Sequence, residues 1–141
     1  MLIRRAKRSD VDALYEIETI SFGDISFSKR ALTYHVVNNL VLCAELDGKT
    51  AGYICFSPLT KNKKRRIYSI AVHPTARGKH VAEHLMLESE SKSKAHTIIL
   101  EVDEHNKAAI GLYMKLGYVV FGLYPDYYGD SDALRMKKVI K

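Results

Sequence analysis

The sequence predicts an α/β (α+β) fold: a central mixed, mostly antiparallel sheet of about seven strands with helices on both faces. The order of apolar segments carries this, since strand-length runs alternate with stretches of helical period in the order β-α-α-β-β-β-α-β-α-β-β. Asp47-Gly48 between two apolar runs adds an antiparallel hairpin. A length of 141 residues, 47% apolar and 27% charged, suits a single domain spanning 1–141 with a core of its own.

Residues 2–6 (LIRRA) make a short first strand. Ser9 is placed to cap a helix over 10–19, with Val11, Leu14, Tyr15 and Ile17 on its buried side. Ser28 caps a second helix through Val36. Runs 40–46 and 50–57 form the hairpin, and a two-residue turn there sets Cys43 opposite Gly52 rather than Cys55. That register argues against a disulfide, so both cysteines read as buried thiols of a reducing cytoplasm. The run Lys61-Asn62-Lys63-Lys64-Arg65-Arg66 reads as a basic loop before a strand over 67–72, which His73-Pro74 ends. A helix follows over 79–92, with Val81, Leu85 and Met86 or Leu87 spaced for one buried face. Thr97–Val102 is a strand, Asn106 caps a helix over 107–115, and Gly117 stops it. Strands over 118–123 and 133–139 close the chain around the loop PDYYGDSD.

The net charge of +6 favours anionic partners without choosing nucleic acid over a phosphorylated cofactor. No apolar run approaches the roughly 18 residues of a membrane span, and the first ten residues lack the apolar region of a signal peptide. His80-Val81-Ala82-Glu83-His84 fits H-x-x-E-H but brings no third ligand, so no metal is expected. Arg77-Gly78-Lys79-His80-Val81-Ala82, at the start of a helix, is either an ordinary loop or a phosphate cradle. Unpaired helix N–H groups and two cations suit an anion there. Glu101 is a carboxylate inside an apolar strand, with Leu100 and Val102 pointing to the other side. With Tyr113 on the next helix it could remove a proton from an amine and supply one to a leaving group. Glu101 as an edge-strand charge and Tyr113 as a core tyrosine are the structural alternatives.

Leu100-Glu101-Val102, Asn106, Ala109-Ile110, Leu112-Tyr113 and Leu116-Gly117-Tyr118 together resemble the GNAT acetyltransferase superfamily, in the form found in RimI-like protein N-terminal acetyltransferases. The ending Tyr127-Tyr128-Gly129-Asp130-Ser131-Asp132-Ala133-Leu134-Arg135-Met136 resembles the same subfamily. The resemblance implies transfer of an acetyl group from acetyl-CoA to a protein N-terminal α-amine. By it, the backbone of Ile70, Ala71 and Val72 pairs with the pantetheine arm, and Arg77, Gly78, Lys79, His80, Val81 and Ala82 hold the pyrophosphate. Asn106 bonds the pantetheine, Tyr113 protonates the departing thiolate, and Glu101 is a general base working through water. Phe22, Phe27, Tyr68, Glu101, Tyr127 and Tyr128 contact the substrate. Peptide or protein N-termini are the implied partners, with the ribosome or ribosomal proteins as a further candidate; neither membrane nor nucleic acid is required.

Two positions depart from the family pattern. His80 stands where a glycine is usual, and is tolerated if its φ is helical; Ser26-Phe27-Ser28 stands where the family carries a Pro-Trp pair. The rival functions are a GNAT enzyme acting on lysine or a small amine, and a non-catalytic basic module associated with the ribosome or RNA. The basic run at 61–66 is either a solvated loop or a docking point for such an acidic partner.

Overall fold

The structure is a computed structural model that describes residues 1–140. Its elements are β1 (Leu2–Arg5), α1 (Val11–Phe22), α2 (Lys29–Val37), β2 (Val41–Leu46), β3 (Lys49–Phe56) and β4 (Lys64–Val72). After these come α3 (Val81–Lys92), β5 (Thr97–Asp103), α4 (Lys107–Lys115), β6 (Val119–Tyr124) and β7 (Ala133–Val139). The strands form one seven-stranded sheet in the order β1-β2-β3-β4-β5-β7-β6. β1 with β2, β2 with β3, β5 with β7 and β6 with β7 are antiparallel, while β4 and β5 are parallel. That is the mixed, mostly antiparallel sheet expected. The chain packs as two compact units, Met1–Phe56 with Ser69–Ser93, and Ser57–Tyr68 with Lys94–Lys141.

In the first unit, α1 lays Val11, Leu14 and Ile17 into a core shared with Leu32, Tyr53 and Cys55. Burial of this stripe stabilises by roughly 1.5–3 kcal/mol per large side chain. Asp47 (φ 54°) and Gly48 (φ 75°) both take the left-handed conformation that a two-residue hairpin turn needs. A bulge between Ala44 and Glu45 shifts the ladder, so Cys43 faces Tyr53 instead of Gly52, and Cys55 faces Val41. Both thiols are free, and burial pushes Cys43 up to about 11 and Cys55 up to about 12. Gly52 is needed where it stands, since a Cβ there would lie 2.7 Å from the Ala71 carbonyl oxygen.

Ser28 caps α2 as expected, its Oγ accepting from Ala31 N at 3.0 Å. Ser9 does not cap α1. Asp10 is the residue before the helix, and its side chain caps no α1 N–H; its carboxylate instead accepts from Lys7 N at 2.6 Å and from the Arg4 guanidinium at 2.8 and 2.9 Å. The carboxylate spreads its charge over two oxygens and so meets the planar guanidinium through two bonds at once. The Arg4 hydrogen bond holds the Asp10 carboxyl below its ordinary range.

One buried carboxylate went unread in the sequence. Glu18 lies on the apolar face of α1, 2% exposed, and accepts from Phe27 N at 2.8 Å and Ser69 Oγ at 3.1 Å. Ser69 Oγ also meets the Tyr53 hydroxyl at 3.1 Å. Burial raises the Glu18 pKa despite both bonds. A raised carboxyl favours folding most while it is protonated, and that contribution fades as pH climbs through its folded pKa. Glu18→Gln is therefore expected to match or exceed the parent in stability at pH 7 and to lose that advantage toward pH 4. Thermal melts of both proteins across this range check it.

In the second unit, Ile98, Leu100 and Val102 are buried on one face of β5, leaving Thr97, Ile99, Glu101 and Asp103 on the other. The basic run is only partly a loop. Lys64, Arg65 and Arg66 belong to β4, pairing with Thr97, Ile98 and Ile99 of β5. Long cationic side chains satisfy a strand because their apolar stems cover the sheet while their heads reach out. β6 is the edge strand, with Val119, Val120, Phe121, Leu123 and Tyr124 all exposed. The Arg135 guanidinium sits 4.7 Å from the Phe121 ring and 4.5 Å from that of Tyr124, and Lys137 Nζ sits 5.1 Å from Phe121.

Candidate active site

β5 places Glu101 between two arginines. Arg135 stands directly across from it on β7, and Arg66 pairs with Ile99, one step diagonal. Arg66 Nε donates to Glu101 Oε1 at 2.7 Å, with Nη2 2.5 Å from the same oxygen. Arg135 Nε lies 3.6 Å from Oε2, too far to donate. Oε2 is thus a buried acceptor with no hydrogen-bond partner among the described residues. The Glu101 side chain is 5% exposed against 43% for Arg66, so the guanidinium forms the outer side of the pair.

The tyrosine-rich loop belongs to the same unit. Arg66 Nη2 lies 3.4 Å from the Tyr127 hydroxyl, and its guanidinium carbon 5.7 Å from the Tyr68 ring centroid. Tyr127 stacks on Tyr124 at 5.6 Å and meets Tyr128 edge-on at 5.0 Å. Acidic side chains tie this loop to the end of β5, Ser131 Oγ donating to Asp103 at 2.9 Å and Asp132 N to Glu104 at 2.7 Å, while Asp126 N donates to Asp132 within the loop at 2.8 Å. Burial of Tyr128, then the charges of Tyr127, Asp103 and Glu101, push its phenol up to about 12. Tyr113 on α4 is 6% exposed, and burial followed by the charge of Tyr128 pushes it likewise to about 12. Tyr128 is thus within electrostatic reach of both Glu101 and Tyr113. Asn106 caps α4, its Oδ1 accepting from Ala109 N at 3.2 Å.

The first unit holds the other expected residues. Ile70, Ala71 and Val72 end β4, and His73 N donates to the Ala51 carbonyl at 2.7 Å. Arg77, Gly78, Lys79 and His80 are exposed, and Val81 and Ala82 open α3, two residues later than expected. Gly78 (φ 78°) and His80 (φ 62°) are both left-handed, which corrects the expectation of a helical His80. The His80 side chain caps no N–H of the first turn; it lies 3.8 Å from Glu83 instead. A helix start with uncapped donors, two left-handed residues and two exposed cations suits a diphosphate. A left-handed histidine costs about 1–2 kcal/mol that glycine avoids, partly offset by the greater unfolded freedom of glycine. His80→Gly is expected to raise stability by up to about 1 kcal/mol, measured by denaturant titration.

Phe22 and Phe27 pack against the first unit's core, Phe27 stacking on His35 at 5.5 Å, whereas Ile25 between them is 70% exposed. Sequence reasoning missed Arg66, hidden in a run that reads as a solvated loop. The alternation Lys64-Arg66-Tyr68 around Ile67 was the available signal. Among the described residues no group of three or more His, Cys, Asp or Glu is placed to hold a metal, and no helix is long and apolar enough to cross a membrane.

The family model described as Acetyltransferase (GNAT) family matches residues 9–118. The chain is 30% identical to an N-alpha-acetyltransferase of Sulfurisphaera tokodaii, over 92% of this chain and 87% of that one. Ard1 from Thermoplasma volcanium superposes with a TM-score of 0.90 at 25% identity, covering 99% of this chain and 97% of that one. The ribosomal-protein-S18-alanine N-acetyltransferase from Escherichia coli superposes with a TM-score of 0.81 at 26% identity, covering 99% and 94%.

Proposed function

Because the chain belongs to the GNAT acetyltransferase family, we propose that it acetylates the free α-amine of protein N-termini by direct attack in a ternary complex. It is an N-acetyltransferase whose donor is acetyl-CoA, and the bound cofactor supplies an acyl thioester already activated toward amines. The observation that carries the acceptor reading is the gathering of Glu101, Arg66, Tyr127, Tyr128 and Tyr113 in one unit. The N-alpha-acetyltransferase relative points the same way.

In this reading residues 1–141 serve as a single acetyltransferase domain. Arg77 to Ala82 would hold the pyrophosphate and the Ile70–Val72 backbone the pantetheine arm, and Asn106 would give the pantetheine a bond. The second unit handles protons. Glu101 takes one from the amine through water, and the Tyr113 hydroxyl gives one to the leaving sulfur. A phenol at about 12 keeps its proton until the leaving group needs it. The acceptor chemistry is modest, because an α-amine has a pKa near ~8 against ~10.4 for lysine, so one relayed carboxylate suffices. Tyr68, Tyr127 and Tyr128 line the substrate's first residues.

The test offers acetyl-CoA with peptides that carry a free or a blocked N-terminus and an internal lysine, read by mass spectrometry. Acetylation confined to the free α-amine is expected. Acetylation of blocked peptides alone, on lysine, would overturn the reading in favour of a lysine enzyme. Acetyl-CoA itself should raise the melting temperature, in proportion to its binding.

A further inference from the structure

We propose that Arg66 is a carboxylate-binding, specificity-determining residue that selects protein N-termini with an acidic side chain at residue one or two. The inference rests on the N-terminal reading above and names its substrate class.

Arg66 holds the one oxygen of Glu101 that has a hydrogen bond among the described residues, through contacts of 2.7 and 2.5 Å. Both contacts fall on Oε1, which leaves only the buried Oε2 to accept from an amine or its relaying water, so loosening the grip frees the outer oxygen for the reaction. A guanidinium gives up a carboxylate most readily for another carboxylate, because the same planar fork is then satisfied bidentately. Arg66 is placed for that exchange. Its side chain is 43% exposed, and Nη1 meets no protein acceptor among the described residues. Its neighbours, Tyr68 and Tyr127, are 44% and 49% exposed and offer ring faces to a peptide. Arg135 at 3.6 Å remains beside Oε2, so Glu101 keeps a counter-charge when Arg66 turns outward.

The charge distribution agrees. The first unit carries ten Lys and Arg against ten Asp and Glu, whereas the second carries twelve against six. The whole excess of +6 therefore belongs to the unit that holds Arg66, where it draws acidic peptides in and holds off basic ones.

The experiment measures kcat/KM with saturating acetyl-CoA for free-N-terminus peptides in isosteric pairs, Asp against Asn and Glu against Gln, at residues one and two. An acidic peptide is expected to exceed its amide twin by about tenfold or more, mainly through KM and less so at high salt. Arg66→Gln should bring the ratio to about one, and Arg66→Lys should restore part of it, since it keeps the charge without the fork. Equal rates for Asp and Asn peptides in the parent enzyme overturn the proposal while leaving N-terminal acetylation intact. A ratio that survives Arg66→Gln overturns it as well. If no free α-amine is acetylated while lysines or small amines are, the N-terminal reading fails and this inference falls with it.

Discussion

Tyr113→Phe is expected to lower kcat by about 100- to 1,000-fold while leaving KM for peptide and acetyl-CoA within about twofold. Phenylalanine keeps the buried ring, 6.1 Å from that of Tyr118, and removes only the hydroxyl that carries the proton. The loss should therefore fall on the step in which the thiolate leaves. The same phenol sets a pH expectation. Pushed up to about 12, it favours the protonated form in the folded state. Its contribution to stability is complete below pH 10 and is lost as pH rises toward 12. No descending limb of kcat from Tyr113 is expected between pH 6 and 10, as a steady-state profile will show. A full-activity Phe variant would assign the proton to another donor.

Glu101→Gln carries the second large effect. At pH 7 kcat/KM for a free-N-terminus peptide is expected to fall by about 100-fold, because the relayed water loses its acceptor. The deficit should shrink above pH ~8, where the α-amine deprotonates unaided. That narrowing separates a lost base from a merely damaged site, and a deficit constant with pH would reject the base assignment. Stability should also fall, by about 1.5–3 kcal/mol, since Arg66 and Arg135 then face a neutral amide. In the double variant with Arg66→Gln part of that loss should return, because one of the two stranded charges is gone.

Local chemistry decided what could be read before the structure was known. Asp47-Gly48, Ser28, Asn106 and Gly117 act within a few residues, by left-handed φ or by a side-chain acceptor, and each stands where the sequence puts it. The strand alternation around Glu101 was equally plain. What stayed hidden depended on partners distant in sequence. Arg66 meets Glu101 across 35 positions and Ser69 meets Glu18 across 51, and no period encodes either meeting. The bulge that moved Cys43 from Gly52 to Tyr53 also escaped, because the Asp47-Gly48 turn fixes the register only as far as Glu45. His80 shows the opposite limit. Its residue type argued for ordinary φ, and the turn into α3 prevailed over that preference.

The order β5-β7-β6 means that the strand made last in this unit sits in the middle. During synthesis β5 emerges with β4 to pair with, but β6 has no neighbouring strand until residues 133–139 have left the ribosome. For that interval Val119, Val120, Phe121 and Leu123 lack their ladder and the cations that later lie against Phe121. The nascent chain is then most open to aggregation. Truncation before β7 should leave an insoluble product even though most of the sequence is intact.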